Sequence, residues 1–231
     1  MNTPRFLSTP VLIVAILTSS APTRAQDRDQ LIVQINATKA FLLKQRSADS
    51  YRNSIRQSAI AYENVVNPLC KTVQVGVDST EVRDRILALL EVNDKSVATA
   101  GSWRESVPSV ACGEKRLSNV QVDVTPHGLR FTPTFPGDAA GNPELQNDTL
   151  KNIEMNFAML KIETKKSCHT AVIDTHLVGA PSAVSETGVM SPWDESWDVQ
   201  SCGTVYLVPV TYTPDARGTH ISIGTSQIRP R

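Results

Sequence analysis

Residues 193–203 read WDESWDVQSCG, and residues 103–113 read WRESVPSVACG. Trp, Glu, Ser, Cys and Gly fall in register between the two stretches. Thr-Pro turns (Thr125-Pro126 and Thr213-Pro214) follow each at almost the same distance. This agreement is read as a duplicated unit, and the rest of the chain is divided accordingly.

Around the first stretch, Tyr51, Ile55, Ala59, Tyr62 and Val66 form an apolar stripe at helical spacing, preceded by Leu31, Ile35, Thr38 and Leu42. Asn67-Pro68 stops this helix, because proline disfavours helical backbone in the residue before it. CKTVQVGV (70–77) then alternates as a half-buried strand does. Asp78 and Glu81 predict a capping box for a short helix with Val82, Ile86 and Leu89 on one side. NVQVDV (119–124), the turn TPHG and LRFTPTF complete the first unit as strands.

FTPTFPGDAAGNPELQND (131–148), rich in Pro, Gly and Asn, reads as linker, with 136–148 as its body. Beyond it, residues 149–164 carry Leu150, Ile153, Phe157 and Leu160 at helical spacing, although Ile153, Met155, Phe157 and Met159 also alternate. CHTAVIDTHLV (168–178), the Trp193 segment, VYLVPVTYT (205–213), the turn PDARG and THISI (219–223) follow as strands. Pro108 and Pro209 sit inside strand candidates, where proline belongs at an edge or bulge. The expected architecture is α+β: two tandem helix-plus-antiparallel-sheet units, 26–135 and 149–231, with a cystatin-like layout by analogy of element order.

The first 25 residues read as an export signal. Arg5 supplies the positive region, FLSTPVLIVAILTSSA the apolar region, and Thr23 and Ala25 the small residues before cleavage at Gln26. The whole chain carries 23 basic and 23 acidic residues, and without its first 25 residues it carries 21 and 23. A balance so near neutrality argues against a nucleic-acid binder, and no later stretch reaches membrane-spanning length. An exported chain with four cysteines (Cys70, Cys112, Cys168 and Cys202) reads as two disulfides. Zinc would favour closely spaced pairs that are missing here, and no metal or cofactor is expected.

Antiparallel pairing of the strand starting at Cys168 with the one ending at Cys202 would set these two side by side, and likewise Cys70 and Cys112. In that register Ile173 faces Trp197, Thr175 faces Glu195 and Leu177 faces Trp193, while Val75 faces Val107 and Val77 faces Glu105. Side chains alternate along a strand, so each Glu shares the face of its Trp and the core. Glu105, Glu195, Trp103, Trp193 and Trp197 are therefore the candidate binding residues. The ordinary expectation for each Glu is a structural one, accepting hydrogen bonds from an indole or backbone N–H. Asp174 and His176 share a strand face with Asp194 and Ser196 near them, and a solvated polar face is the expected role. No nucleophile elbow, zinc helix or phosphate loop occurs.

WDESWDVQSCG followed by VPVTYTPDARGTHISI resembles a C-terminal pattern of uncharacterised secreted proteobacterial proteins, over roughly residues 168–223. The first copy departs from it, with Val107 in place of the second Trp and Pro108 after it. The resemblance implies a periplasmic or secreted protein and brings no catalytic residues. The expected function is non-enzymatic binding of an envelope or secreted protein or peptide, with self-association through sheet edges as a further mode. The alternative is a hydrolase or ligand-processing enzyme using Glu105 or Glu195 in a cleft between the units.

Overall fold

A computed structural model describes residues 24–79, 82–92, 98–162, 170–179 and 191–231. The expected signal segment, through residue 23, the capping residue Glu81 and Cys168 lie outside the described residues. The fold is mixed α and β, with three α-helices and two antiparallel five-stranded sheets among the described residues. Helices α1 (Arg24–Ser47) and α2 (Asp49–Val66) precede the first sheet. That sheet contains β1 (Val73–Val75), β2 (Arg83–Val92), β3 (Ala98–Ala111), β4 (Glu114–Thr125) and β5 (Gly128–Thr134). Helix α3 (Pro143–Met159) precedes the second sheet, which contains β6 (Ala171–Gly179), β7 (Trp193–Ser201), β8 (Thr204–Asp215), β9 (Gly218–Ile223) and β10 (Arg229–Pro230).

Each sheet packs its own apolar cluster. Phe41, Leu42, Tyr51, Ile55 and Ala59 of the first two helices cover Trp103, Val107, Val120 and Val122. Ile153 and Phe157 of α3 cover Val172, Trp197, Val199 and Val208. On α2 the buried i, i+4 series runs Tyr51, Ile55, Ala59 and then Glu63, so the fourth buried position holds an acid and Tyr62 lies beside it.

The Cys-Gly pairs close the two central hairpins. Cys112 and Gly113 join β3 to β4 with φ of 50° and 89°, and Cys202 and Gly203 join β7 to β8 with φ of 49° and 83°. Positive φ at both central residues is the two-residue turn whose twist matches antiparallel strands. Glycine meets this demand freely, whereas cysteine adopts such backbone rarely. Cys112 is held there by its disulfide to Cys70, with a Cα–Cα distance of 5.6 Å.

Four expectations are corrected. Residues 82–89 form no helix; from Arg83 on they lie in β2, which pairs with the first part of β3 from Arg83↔Ser106 to Val92↔Ala98. Pairing along the long strand β3 overrides the helical spacing of its apolar residues. The register of both outer pairs is displaced by two residues from that expected. Val75 faces Ser109 rather than Val107, Thr175 faces Trp197, and Leu177 faces Glu195. A shift of two keeps every side chain on its face, so the inward placement of the acids holds although the partners change. On β6 the irregularity between Val172 and Asp174 takes up part of the shift.

The third correction concerns the helix beginning at 149. It begins at Pro143, where the Asn142 side chain caps it by accepting from the Leu145 N–H at 2.8 Å. Asn before Pro is a helix-start signal as much as a loop signal, and the alternative of a strand through 153–159 falls with it. Fourth, residues 136–141 are no free linker: five of the six are buried, with only Asp138 exposed. They form a strap whose Gly137 N–H donates to Leu117 O (2.7 Å) of β4, and whose Asp138 N–H donates to Thr175 O (2.9 Å) of β6. Consecutive amides therefore tie the strap to both sheets. A Cβ at Gly137, where φ is 96°, would stand 2.1 Å from Thr175 O. Gly137→Ala is expected to destabilise the fold by about 2 kcal/mol, lowering the thermal midpoint by about 5 °C. An unchanged midpoint would show that the strap does not need so close an approach.

The two prolines explain the breaks in the edge strands. Gly76 N–H donates to Pro108 O where β1 ends, and Gly224 N–H donates to Pro209 O between β9 and β10. A proline cannot return the second ladder bond, and at both places the neighbouring edge strand is interrupted.

Candidate functional site

Glu105 and Glu195 are both buried, each 1% exposed. Arg46 at the end of α1 grips Glu105 with Nε to Oε1 at 2.8 Å and Nη2 to Oε2 at 2.7 Å. The Tyr51 hydroxyl donates to Oε1 at 2.8 Å and itself accepts from Trp103 Nε1 at 3.1 Å. Burial and the neighbouring Glu105 carboxylate push the Tyr51 hydroxyl well above its ordinary pKa.

Glu195 has a different shell. Trp193 Nε1 donates to Oε1 at 3.0 Å, Trp197 Nε1 to Oε2 at 2.8 Å, and the Ala140 N–H of the strap to Oε1 at 2.7 Å. Residues i, i+2 and i+4 of one strand share a face, which lets a single carboxylate collect two flanking indoles. Trp193 also stacks on Tyr212 with ring centroids 4.7 Å apart, and the Tyr212 hydroxyl meets Thr149 Oγ1 at 2.9 Å. Where the first sheet has Val107 in place of a second Trp, Tyr51 and Arg46 supply the donors instead. Both acids are thus held by two or more charged or polar donors inside packed surroundings, and neither opens on solvent. All three Trp are core residues, at most 5% exposed.

Residues not singled out by the sequence lie between the sheets. Arg85 and Arg104, opposite each other on β2 and β3, both donate to Ala139 O of the strap, at 3.4 and 2.9 Å. Burial, then the Arg85 charge, lowers the Arg104 pKa to about 10, while Glu195 and Asp138 act in the opposite sense. Glu63 is fully buried on α2 and receives Arg116 Nη1 of β4 at 2.8 Å. His176 stands between Asp174 (3.7 Å) and Asp198 (3.5 Å), and Arg231 also pairs with Asp198. Asp198, rather than the expected Asp194, completes this group; Asp194 is exposed and accepts from Thr211. His127 and His220 lie elsewhere, in the β4–β5 turn and on β9. Among the described residues no set of three or more His, Cys, Asp or Glu side chains converges as a metal site.

Burial raises the Glu63 carboxyl, with Arg116 acting against it, and burial likewise raises Asp174, with His176 acting against it. A carboxyl raised in the folded state binds its proton more tightly there than in the unfolded chain. The stability it contributes is full below its unfolded pKa and is lost as pH rises through the raised folded value. The stability these two carboxyls contribute is therefore expected to decline as pH rises above the ordinary carboxylate range, and Glu63→Gln to flatten that decline. Urea midpoints measured over that rise in pH check it; a parallel decline in the variant would exclude Glu63 as a contributor.

Among the described residues a groove of about 760 Å³ opens where the two sheets and the strap meet. Arg83, Lys115 and Arg116 from the first sheet line it together with Asp138, Asp174 and His176 from the strap and β6. Arg83 and Lys115 are exposed and form no ion pair among the described residues. Pro108, Val110 and Leu117, all half-buried, supply apolar lining, and Val75 borders it at the strand edge with its side chain on the first core. No family model, curated protein or solved structure matches the chain.

The Cys70–Cys112 disulfide is compatible with an oxidising compartment, extracellular or periplasmic. Among the described residues no helix is long and apolar enough to cross a membrane.

Proposed function

We propose that the chain is a non-enzymatic, exported protein of the bacterial envelope or its surroundings that binds a protein or peptide partner. In this reading residues 1–25 are removed on export, and two diverged copies of a helix-plus-sheet unit follow. Cys168 and Cys202 close the second copy as Cys70 and Cys112 close the first. The matching Cys-Gly turns and the matching buried acids support duplication. The C-terminal resemblance to secreted proteobacterial proteins supports the compartment.

One observation carries the binding reading. The acids that an enzyme would need are saturated by internal donors, whereas the inter-sheet groove exposes two cations that form no ion pair among the described residues. A general acid or base must reach its substrate within hydrogen-bond distance, and Glu105 and Glu195 face packed side chains. The groove falls in the size range of ligand sites.

Capture from a native envelope extract, with the oxidised protein as bait and the reduced protein as control, tests this reading. A stoichiometric partner lost on reduction is the expected result. If the oxidised bait returns nothing above the control, the binding reading fails.

A further inference from the structure

We infer that the inter-sheet groove takes an extended peptide segment carrying both an acidic and a basic side chain. The acid sits against Arg83 and Lys115, and the base against Asp138 and Asp174. This inference rests on the binding reading above and gives it a site and a ligand chemistry.

Charge placement comes first. Arg83 and Lys115 enter from the first sheet, and Asp138 and Asp174 from the strap and β6, so the groove is lined by opposite charges from its two sides. One oxygen of each acid is already fixed by a backbone amide: Asp138 Oδ1 by Leu177 N–H at 2.8 Å and Asp174 Oδ1 by Thr175 N–H at 2.9 Å. Those bonds orient the carboxylates; Asp174 Oδ2 lies 3.7 Å from His176 Nε2, beyond hydrogen-bond distance, so the second oxygen of each acid keeps acceptor capacity. A polyanion would meet the two acids, and a polycation the two bases, so a ligand bearing both signs fits best.

The lining residues then exclude other ligand classes. Among the described residues no Trp, Tyr or Phe lines the groove, so they offer no aromatic platform on which nucleobases stack. What it offers besides charge is aliphatic surface and a strand edge. β1 ends its sheet, and Gly76 N–H bonds to Pro108 O while Cys112 N–H bonds to Thr72 O. In an antiparallel ladder these even-numbered residues turn their backbone groups toward β3. The odd-numbered Val73 and Val75 turn theirs to the open edge. Val75 lines the groove, so an incoming extended chain finds both backbone partners and side-chain charges there. Strand addition of this kind draws affinity from main-chain bonds and specificity from alternate side chains.

The test is selection of a random-peptide phage library on the oxidised protein, followed by calorimetric titration of the recovered peptides. The expected result is enrichment of peptides with one acid and one base at a fixed spacing. Arg83→Glu combined with Lys115→Glu, at exposed positions that leave the fold intact, should weaken them about tenfold. The same variant should shift selection toward peptides with two basic residues. Peptides enriched without charge preference, or unaffected by the double reversal, would overturn the groove assignment while leaving peptide binding in place. An empty selection beside a stoichiometric captured partner would overturn the peptide inference alone. An empty selection and an empty capture together would overturn the binding reading as well.

Discussion

Cys112→Ser is expected to cost the oxidised protein about 4 kcal/mol, the largest loss from any single substitution considered. The bridge spans a sequence separation of 42 and ties the segment after α2 to the turn between β3 and β4. Cutting it returns a long loop's freedom to the unfolded chain. It also leaves a residue other than glycine at φ 50° without the bond that holds it. Cys112→Asn removes the same bridge but tolerates this backbone better, and should recover roughly 0.5–1 kcal/mol of the loss. Urea denaturation under oxidising conditions measures both. If Cys112→Ser unfolds at the wild-type midpoint, the disulfide contributes nothing. If the two variants coincide, the turn is not strained. Cys202→Ser at the corresponding turn of the second sheet should behave alike if Cys168 is its partner.

Glu195→Gln is expected to lose about 3 kcal/mol. Three donors converge on this side chain, and glutamine turns one of the two acceptors into a fourth donor. At least one of Trp193 Nε1, Trp197 Nε1 and the Ala140 N–H is then left unpaired in the core. Thermal unfolding followed by tryptophan fluorescence reads the loss and the altered indole surroundings together; the midpoint should fall by about 8 °C. Glu105→Gln should cost less, because Arg46 is 29% exposed and can turn its guanidinium to water. Equal losses at the two sites would mean that the carboxylates are held alike, whatever their donors.

The strands of both central hairpins, the turns TPHG and PDARG that follow them and the inward direction of both acids were legible because each follows from alternation and short-range turn chemistry; the Cys-Gly turns were not. The Trp-x-Glu pattern puts the acid on the Trp face whatever the pairing partner, so a register error of two residues did no harm to it. The donors to Glu105 were not legible. Arg46 and Tyr51 lie more than fifty positions from Glu105 and reach it only because α1 and α2 pack on that face of the sheet. β2 was hidden because Val82, Ile86 and Leu89 suit a helix locally, and only the long partner β3 decides for a strand. The strap misled for another reason. Gly137, Ala139 and Ala140 are small because other backbone lies against them, and smallness of that kind cannot be told from looseness in a one-dimensional reading.

The strap also bears on whether either half can exist without the other. Its carbonyls and amides satisfy Leu117, Asn119 and Thr175, which belong to both sheets, and Tyr62 of α2 donates across to Val172 O of β6. Division of the polypeptide anywhere between 136 and 142 would strip hydrogen-bond partners from β6 and leave a bare strand border, the kind of surface through which chains aggregate. An ancestral doubling, if it made this protein, would therefore have ended in mutual dependence rather than in beads on a string. Separately produced halves should be insoluble alone and recover only when refolded together.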